Sequence, residues 1–192
     1  DWWFAYKIPK LGKTADAPSS TGYEYIYYDP NIKKVIQSEY LLTDGKGAID
    51  GTLNSIFKNP SETTGWILYN DEMPEDAHGK DSSSYGHTKG VLAFDTETKT
   101  GFWLLHSWPK YSDPEASIMP TPKYGQTFIC LALDMATLNK IAAQMINHQT
   151  PQVYMPRIPK DLDKNDPLYI LSQPISTTPK ADSDVIEYES RG

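Results

Sequence analysis

The stretch His87-Thr-Lys-Gly-Val-Leu-Ala-Phe94, joined by Asp95-Thr-Glu-Thr-Lys-Thr100 to Gly101-Phe-Trp-Leu-Leu-His-Ser107, predicts a β-hairpin. Both arms are short and mostly apolar, and the polar segment between them supplies the turn. Two further apolar runs, at 65–69 and 126–133, have the length of buried strands. The run at 65–69 is expected to be a buried central strand, and the run at 126–133 is expected to be the next buried strand.

The sequence around this hairpin predicts helices as well as strands. A helical stripe of apolar residues at 44–58 follows Thr43-Asp44, which we expect to cap the helix, and a second helix is expected after Asp134. The predicted fold class is thus mixed α/β, with a mixed β-sheet flanked by helices. The remaining strands or short extended pieces are expected at 2–9, 22–29, 153–155 and 168–171.

The size and composition of the chain suit a folded domain followed by a polar tail. The chain has 192 residues, 39% of them apolar, and its aromatic content of 12% is unlike that of a disordered chain. Beyond residue 173 the composition turns to Pro, Ser, Thr, Asp and Lys, with few apolar residues. We therefore predict one domain at 1–173 and a linker or processed C-terminal tail at 174–192.

The charge of the chain excludes a protein that coats nucleic acid through a general excess of basic residues. Eighteen Lys and Arg face 25 Asp and Glu, which gives a net charge of −7 and a pI near 5.0. A nucleic-acid role would need a local basic site or an acidic working pH, because acid reduces the repulsion toward a polyanion. No apolar run approaches the ~18 residues of a membrane span, so we expect no membrane partner.

The sequence lacks the common signatures of nucleotide, zinc and serine-hydrolase sites. It contains no phosphate loop, dinucleotide fingerprint, Cys-x-x-Cys, His-Glu-x-x-His or Gly-x-Ser-x-Gly. The single cysteine, Cys130, lies in the apolar run Phe128-Ile-Cys-Leu131, which favours a buried, inert thiol over a reactive one. We therefore expect neither a metal nor a cofactor.

A His-x-Lys tripeptide occurs twice, and its context separates the two copies. His78-Gly-Lys80 lies in a hydrophilic stretch with glycine between the pair, which favours a solvated loop. His87-Thr-Lys89 opens a predicted strand, where residues i and i+2 project to the same face about 7 Å apart. The ammonium there can neutralise charge on a phosphodiester while the imidazole attacks phosphorus. On spacing alone, a structural histidine at a strand end is the alternative.

Four further residues complete the candidate site. Gly86 and Gly90 flank the tripeptide and, because they lack Cβ atoms, would let a substrate backbone come close. Asn70, followed by Asp71, ends a predicted central strand and is a candidate for lining the site. His106 is either a hydrogen-bonded structural group or part of the wall of the site. We include Gly86, Gly90, Asn70 and His106 as candidate substrate-binding residues.

Several segments resemble the deoxyribonuclease II family, in the family's order along most of residues 1–155. Asp81-Ser-Ser-Ser-Tyr-Gly-His-Thr-Lys-Gly90 is similar to the family's first catalytic segment. Several long colinear matches are far more specific than one tripeptide, so they favour a phosphoryl site at His87. The other matching segments are Asp1-Trp2 with Phe4-Ala-Tyr-Lys7, Leu68-Tyr-Asn-Asp71, Gly101-Phe-Trp-Leu-Leu-His-Ser107 and Tyr124-Gly-Gln-Thr-Phe-Ile-Cys130.

The resemblance implies a phospholipase-D-like half, in a fold where two similar halves each supply a His-x-Lys to one central site. In this arrangement one histidine attacks phosphorus and the other protonates the leaving oxygen, without a metal. By resemblance, His87 is the nucleophile or the acid, and Lys89 is the phosphate ligand. The implied activity is hydrolysis of DNA at acid pH to 3′-phosphate ends, in lysosomes or outside the cell.

The chain departs from the family pattern in two respects. It lacks the second His-x-Lys of the family's C-terminal half, and it lacks the cysteine with which the family's counterpart of Cys130 pairs. Because a positioned acid or base is worth ~10²–10⁴ in rate, the predicted nuclease needs a C-terminal-half chain or a second copy of itself. The alternative is a catalytically inactive secreted relative that binds DNA or a host component.

Overall fold

The computed structural model of the chain describes residues 1–16, 18–74, 84–111, 123–148, 150–175 and 185–190. Within these residues a single sheet carries helices on both faces, so the predicted mixed α/β class is confirmed. The strands are β1 (Trp2–Lys7), β2 (Tyr25–Tyr28), β3 (Ile36–Gln37), β4 (Thr64–Asn70), β5 (Lys89–Asp95), β6 (Thr100–His106), β7 (Gln126–Asp134) and β8 (Val153–Arg157). The helices are α1 (Ala48–Phe57), α2 (Met135–His148) and α3 (Pro167–Leu171).

The strands lie in the order β3-β2-β1-β7-β6-β5-β4-β8. The predicted hairpin is confirmed as β5 and β6, which pair from Gly90 with Leu105 to Asp95 with Thr100. Every pair among the described strands is antiparallel, whereas the sequence predicts a mixed sheet. The short turn between β5 and β6 permits only antiparallel pairing of those two strands.

Both faces of the sheet are buried, which explains why its central strands are continuous apolar runs. On β4, Trp66 and Leu68 point to the face covered by α1, while Ile67 and Tyr69 point to the face covered by α2 and α3. Successive side chains of a strand point to opposite faces of the sheet, and a helix layer covers each face, so few positions remain for polar residues. The polar residues of the central strands therefore collect where the strands end.

Two local predictions are wrong, and tertiary contacts explain one of them. Residues 168–171 belong to α3 rather than to an extended piece, because Pro167 suits a first helical turn and the Leu168 N–H donates to Asn139 Oδ1 of α2 at 3.1 Å. Helix α1 begins after Gly47, without a side-chain cap, and not at Thr43-Asp44. The expected cap on α2 is confirmed, since the Thr137 N–H donates to Asp134 Oδ1 at 2.7 Å.

One end of the sheet brings together the polar residues that the sequence analysis singles out. Asn70, the last residue of β4, pairs with Lys89, the first residue of β5. His106 ends β6 and pairs with Phe128 of β7. These strand ends are neighbours, so their side chains and the loops that follow them share one edge of the molecule. In the described part of the chain, no helix has the length and apolar character needed to cross a bilayer.

The predicted tail falls partly within the described residues. Residues 185–190 lie against the α2 side of the sheet, where the ring centroids of Tyr188 and Trp103 are 6.2 Å apart. The division into a domain at 1–173 and a tail at 174–192 stays a prediction.

Candidate active site

A tight turn presents His87 just before β5 begins. The Thr88 N–H donates to the Gly86 carbonyl oxygen at 2.8 Å, and the Gly86 N–H donates to the Thr150 carbonyl oxygen at 2.8 Å. His87 therefore lies at the tip of a three-residue turn, two residues earlier than the start of the strand, although the sequence predicts that it opens the strand. Its side chain is 84% exposed. The turn holds the main chain while the imidazole projects toward solvent.

Asp71 joins the two members of the tripeptide. One of its carboxylate oxygens, Oδ2, lies 2.5 Å from His87 Nδ1, and the other, Oδ1, accepts a hydrogen bond from Lys89 Nζ. The Asp71 side chain is 10% exposed, so the carboxylate is shielded behind the groups that it binds. His87 and Lys89 thus converge on a single carboxylate, which orients the imidazole with Nδ1 inward.

Lys89 is buried and balanced by negative charge. Its side chain is 5% exposed, and besides Asp71 it has Glu72 Oε1 at 3.9 Å from its Nζ. A buried ammonium needs such partners, since an unpaired charge in this position would cost several kcal/mol. A phosphate that approaches Lys89 must therefore compete with a carboxylate that already binds it.

His106 forms a neutral wall of the same site. Its Nδ1 accepts a hydrogen bond from the Trp108 N–H at 3.2 Å. The centroid of its ring lies 5.1 Å from the ring centroid of Tyr111 and 5.8 Å from that of Phe128. Burial, reinforced by the positive charge of Lys89, lowers the pKa of His106 to about 3. With Nδ1 acting as an acceptor, the ring proton belongs on Nε2, so His106 can offer a neutral donor but not a cation.

These groups border an open cavity of about 400 Å³. His87, Lys89 and His106 are the titratable side chains in its lining. The apolar lining comes from β1, β6 and β7, and Thr88, Ser107 and Thr127 add hydroxyl groups; the apolar residues are Phe4, Leu105, Phe128 and Ile129. The cavity can thus admit a charged group at one side and a flat apolar group at the other.

Asn70 and Gly90 lie on the adjacent strands β4 and β5, and neither lines this cavity. Asn70 is fully buried; its Nδ2 donates to the Trp108 carbonyl oxygen at 3.2 Å, and its Oδ1 accepts from the Glu72 N–H at 3.0 Å. Those two bonds fix the chain on both sides of Asp71. At Gly90 a Cβ would lie 2.5 Å from the Leu104 carbonyl oxygen and 2.5 Å from Tyr69 Oη. Close packing is therefore a reason for glycine at this position, and substrate approach to Gly86 and Gly90 stays a prediction.

The sequence does not predict that Asp71 bridges His87 and Lys89. Asp71 stands next to Asn70 after a predicted buried strand, and that position is the signal that marks it. The first His-x-Lys, at 78–80, lies outside the described residues. Cys130 is buried, as predicted, and burial raises the pKa of its thiol to about 12. In the described segments no cluster of three or more His, Cys, Asp or Glu could hold a metal ion.

The sheet and the site define an α/β protein with an exposed imidazole and a buried ammonium beside an open cavity. Comparison with known proteins gives the family. A family model described as Deoxyribonuclease II matches residues 1–191, and the chain belongs to the deoxyribonuclease II family.

Relatives within the family come from bacteria and mammals. A provisionally named deoxyribonuclease-2 from Burkholderia thailandensis is 55% identical over 192 residues, which are 100% of this chain and 55% of the relative. Deoxyribonuclease-2-alpha from Bos taurus is 33% identical over 172 residues, 87% of this chain and 46% of the relative. Deoxyribonuclease-2-beta from Mus musculus is 33% identical over 163 residues, 83% of this chain and 44% of the relative. The chain spans about half the length of these relatives.

Proposed function

We propose that this chain provides one half of an endodeoxyribonuclease that hydrolyses DNA phosphodiesters to 3′-phosphate ends at acid pH, through His87 and Lys89. The observation that carries the proposal is the convergence of an exposed imidazole and a buried ammonium on Asp71. Membership of the deoxyribonuclease II family supports the same reaction class. As the family resemblance implies, we place this activity in a lysosome or outside the cell.

The orientation of His87 determines which of its atoms reacts. Because Nδ1 faces Asp71, Nε2 is the nitrogen that remains for substrate. As nucleophile, Nε2 forms a bond to phosphorus while the bond from phosphorus to the 5′ oxygen breaks, and the departing oxygen takes a proton from a second acid. Water then cleaves the N–P bond and leaves a 3′-phosphate and a regenerated imidazole. As acid, Nε2 instead gives its proton to the departing oxygen.

The reaction needs a second histidine, and among the described residues none at this cavity is in a suitable state. His106 lines the cavity, but its depressed pKa keeps it neutral at the pH of the proposed reaction. The length of the relatives, about twice that of the chain, is consistent with a second half that brings another His-x-Lys. We propose that a C-terminal-half chain or a second copy of this chain completes the site.

A nuclease assay at pH 5 with chelator tests the proposal, using the chain alone and with any polypeptide that co-purifies. We expect His87→Ala to abolish cleavage, Lys89→Ala to reduce it ~10²-fold or more, and the matched control His78→Ala to leave it nearly intact. Equal losses from both histidine variants would refute the assignment. Folded protein that binds DNA without cleaving it, with or without the partner, would favour the inactive DNA-binding relative instead.

A further inference from the structure

We propose that Tyr69 is a positioning residue for His87 and acts on it through Thr88. The starting observation is the place of the Tyr69 hydroxyl. Tyr69 of β4 is fully buried and pairs with Gly90 of β5. Because position 90 carries no side chain, the phenol ring can reach across β5 toward Thr88, and a Cβ at Gly90 would stand 2.8 Å from Tyr69 Cζ.

Hydrogen bonds hold the Tyr69 hydroxyl from two sides. The Trp103 Nε1–H of β6 donates to Tyr69 Oη at 2.8 Å. The side chain of Thr88 is hydrogen-bonded to the same hydroxyl. The phenol of β4 therefore connects β6 with the residue just before β5, and its position is fixed by packing as well as by polar contacts.

Thr88 transmits this order to the residue before it. Its main-chain N–H closes the turn with Gly86, and its side chain is anchored on Tyr69, so both its backbone and its χ1 rotamer are fixed. His87, with a largely exposed side chain, has little packing of its own to hold the imidazole in place. The geometry between His87 Nδ1 and Asp71 Oδ2 then depends on the turn, and the turn depends on the anchored threonine.

Tyr69→Phe removes the hydroxyl and keeps the ring. The role of Tyr69 rests on the function proposed for His87, so the test needs a readout that does not require cleavage. In the full-length ¹⁵N-labelled chain, imidazole spectra report which nitrogen of His87 carries the proton, with assignment through His87→Ala. We expect Tyr69→Phe and Thr88→Val to shift His87 toward the mixed tautomers of a free imidazole, and Thr88→Ser to restore the original spectrum.

Turnover provides the second readout where cleavage is measured. We expect Tyr69→Phe and Thr88→Val each to lower kcat by ~10- to 10²-fold with KM within about twofold, since a misplaced reacting group costs rate more than binding. The double variant should lose no more than the worse single variant, because both break the same link. Tyr27→Phe is the matched control; the Tyr27 hydroxyl donates to Asp29 Oδ2 at 2.7 Å, and its loss should change neither readout.

The outcomes separate this role from the proposed function. If His87→Ala abolishes cleavage while Tyr69→Phe and Thr88→Val leave the His87 spectrum and kcat unchanged, the positioning role is overturned and the proposed function stands. If His87→Ala cleaves as well as the parent chain, the proposed function fails, and the tautomer shift still decides whether Tyr69 orients the imidazole. If Tyr69→Phe does not fold, the comparison of Thr88→Val with Thr88→Ser decides the question.

Discussion

Replacing Asp71 with asparagine should move turnover and anion affinity in opposite directions. The amide keeps the shape of the side chain but removes the charge that His87 Nδ1 and Lys89 Nζ share. Without a carboxylate to fix and support the imidazole, we expect kcat to fall ~10²–10⁴-fold. Lys89 at the same time loses its nearest anion and becomes available to a phosphate.

The gain in anion affinity follows from the charge that is removed. Two unit charges about 4 Å apart interact by about 1 kcal/mol in water and about 4 kcal/mol at the effective dielectric of a protein surface. Removing the negative charge of Asp71 should therefore tighten binding of inorganic phosphate by at least about fivefold. Calorimetric titration with phosphate measures this affinity, and the chelator-containing nuclease assay measures kcat.

Glu72→Gln is the matched control for this experiment. Glu72 Oε1 also lies near Lys89 Nζ, at 3.9 Å, but the Glu72 side chain is 45% exposed and does not bridge to His87. The control should raise phosphate affinity slightly, by less than the Asp71 variant, and should leave kcat within about threefold. Full turnover in Asp71→Asn, or equal losses in both variants, would show that the bridging carboxylate does not orient the imidazole.

Three further predictions concern stability and reactivity. Gly90→Ala should destabilise the chain by ~1–3 kcal/mol in urea unfolding, because its Cβ would overlap Tyr69 and the backbone, whereas Gly51→Ala, in the open on α1, should stabilise it by up to ~1 kcal/mol. Burial lowers the pKa of His106 to about 3, so the contribution of this residue to stability is present above pH ~6.5 and is lost as the pH falls toward 3. Burial raises the pKa of Asp50 to about 6, so the ionised carboxylate destabilises the folded chain above that pH. Asp50→Asn should therefore increase the free energy of unfolding at pH 7 but not at pH 4. Cys130, whose pKa burial raises to about 12, should react with a thiol reagent only after unfolding, and rapid reaction of the native chain would contradict its burial.

The centre of the sheet is predictable from the sequence because burial on both faces leaves a plain pattern. The runs that become β4 and β5 are apolar at nearly every position, and polar residues mark where they end. Helix α2 is equally clear, since its cap at Asp134 and its apolar face agree. Where local signals and tertiary packing agree in this way, the sequence is sufficient.

The pieces that were predicted wrongly depend on distant partners. Residues 168–171 are too few to show a helical period, and α3 exists because Leu168 and Leu171 pack beneath α2. The bridging role of Asp71 is unpredictable for the same reason, because nothing local shows that its carboxylate contacts residues sixteen and eighteen positions later. Only the pairing of β4 with β5 brings them together.

The charges at this site support a second half independently of the length of the relatives. Asp71 and Glu72 offer two negative charges beside the ammonium of Lys89, so a DNA phosphate meets little net attraction even when His87 is protonated. Each carboxylate opposes the phosphate about as strongly as one ammonium attracts it at a similar distance. A second His-x-Lys facing this one would add two cations and reverse the balance. Assembly of the two halves should therefore raise DNA affinity as well as turnover, and a chain that binds DNA equally well alone and assembled would contradict this account.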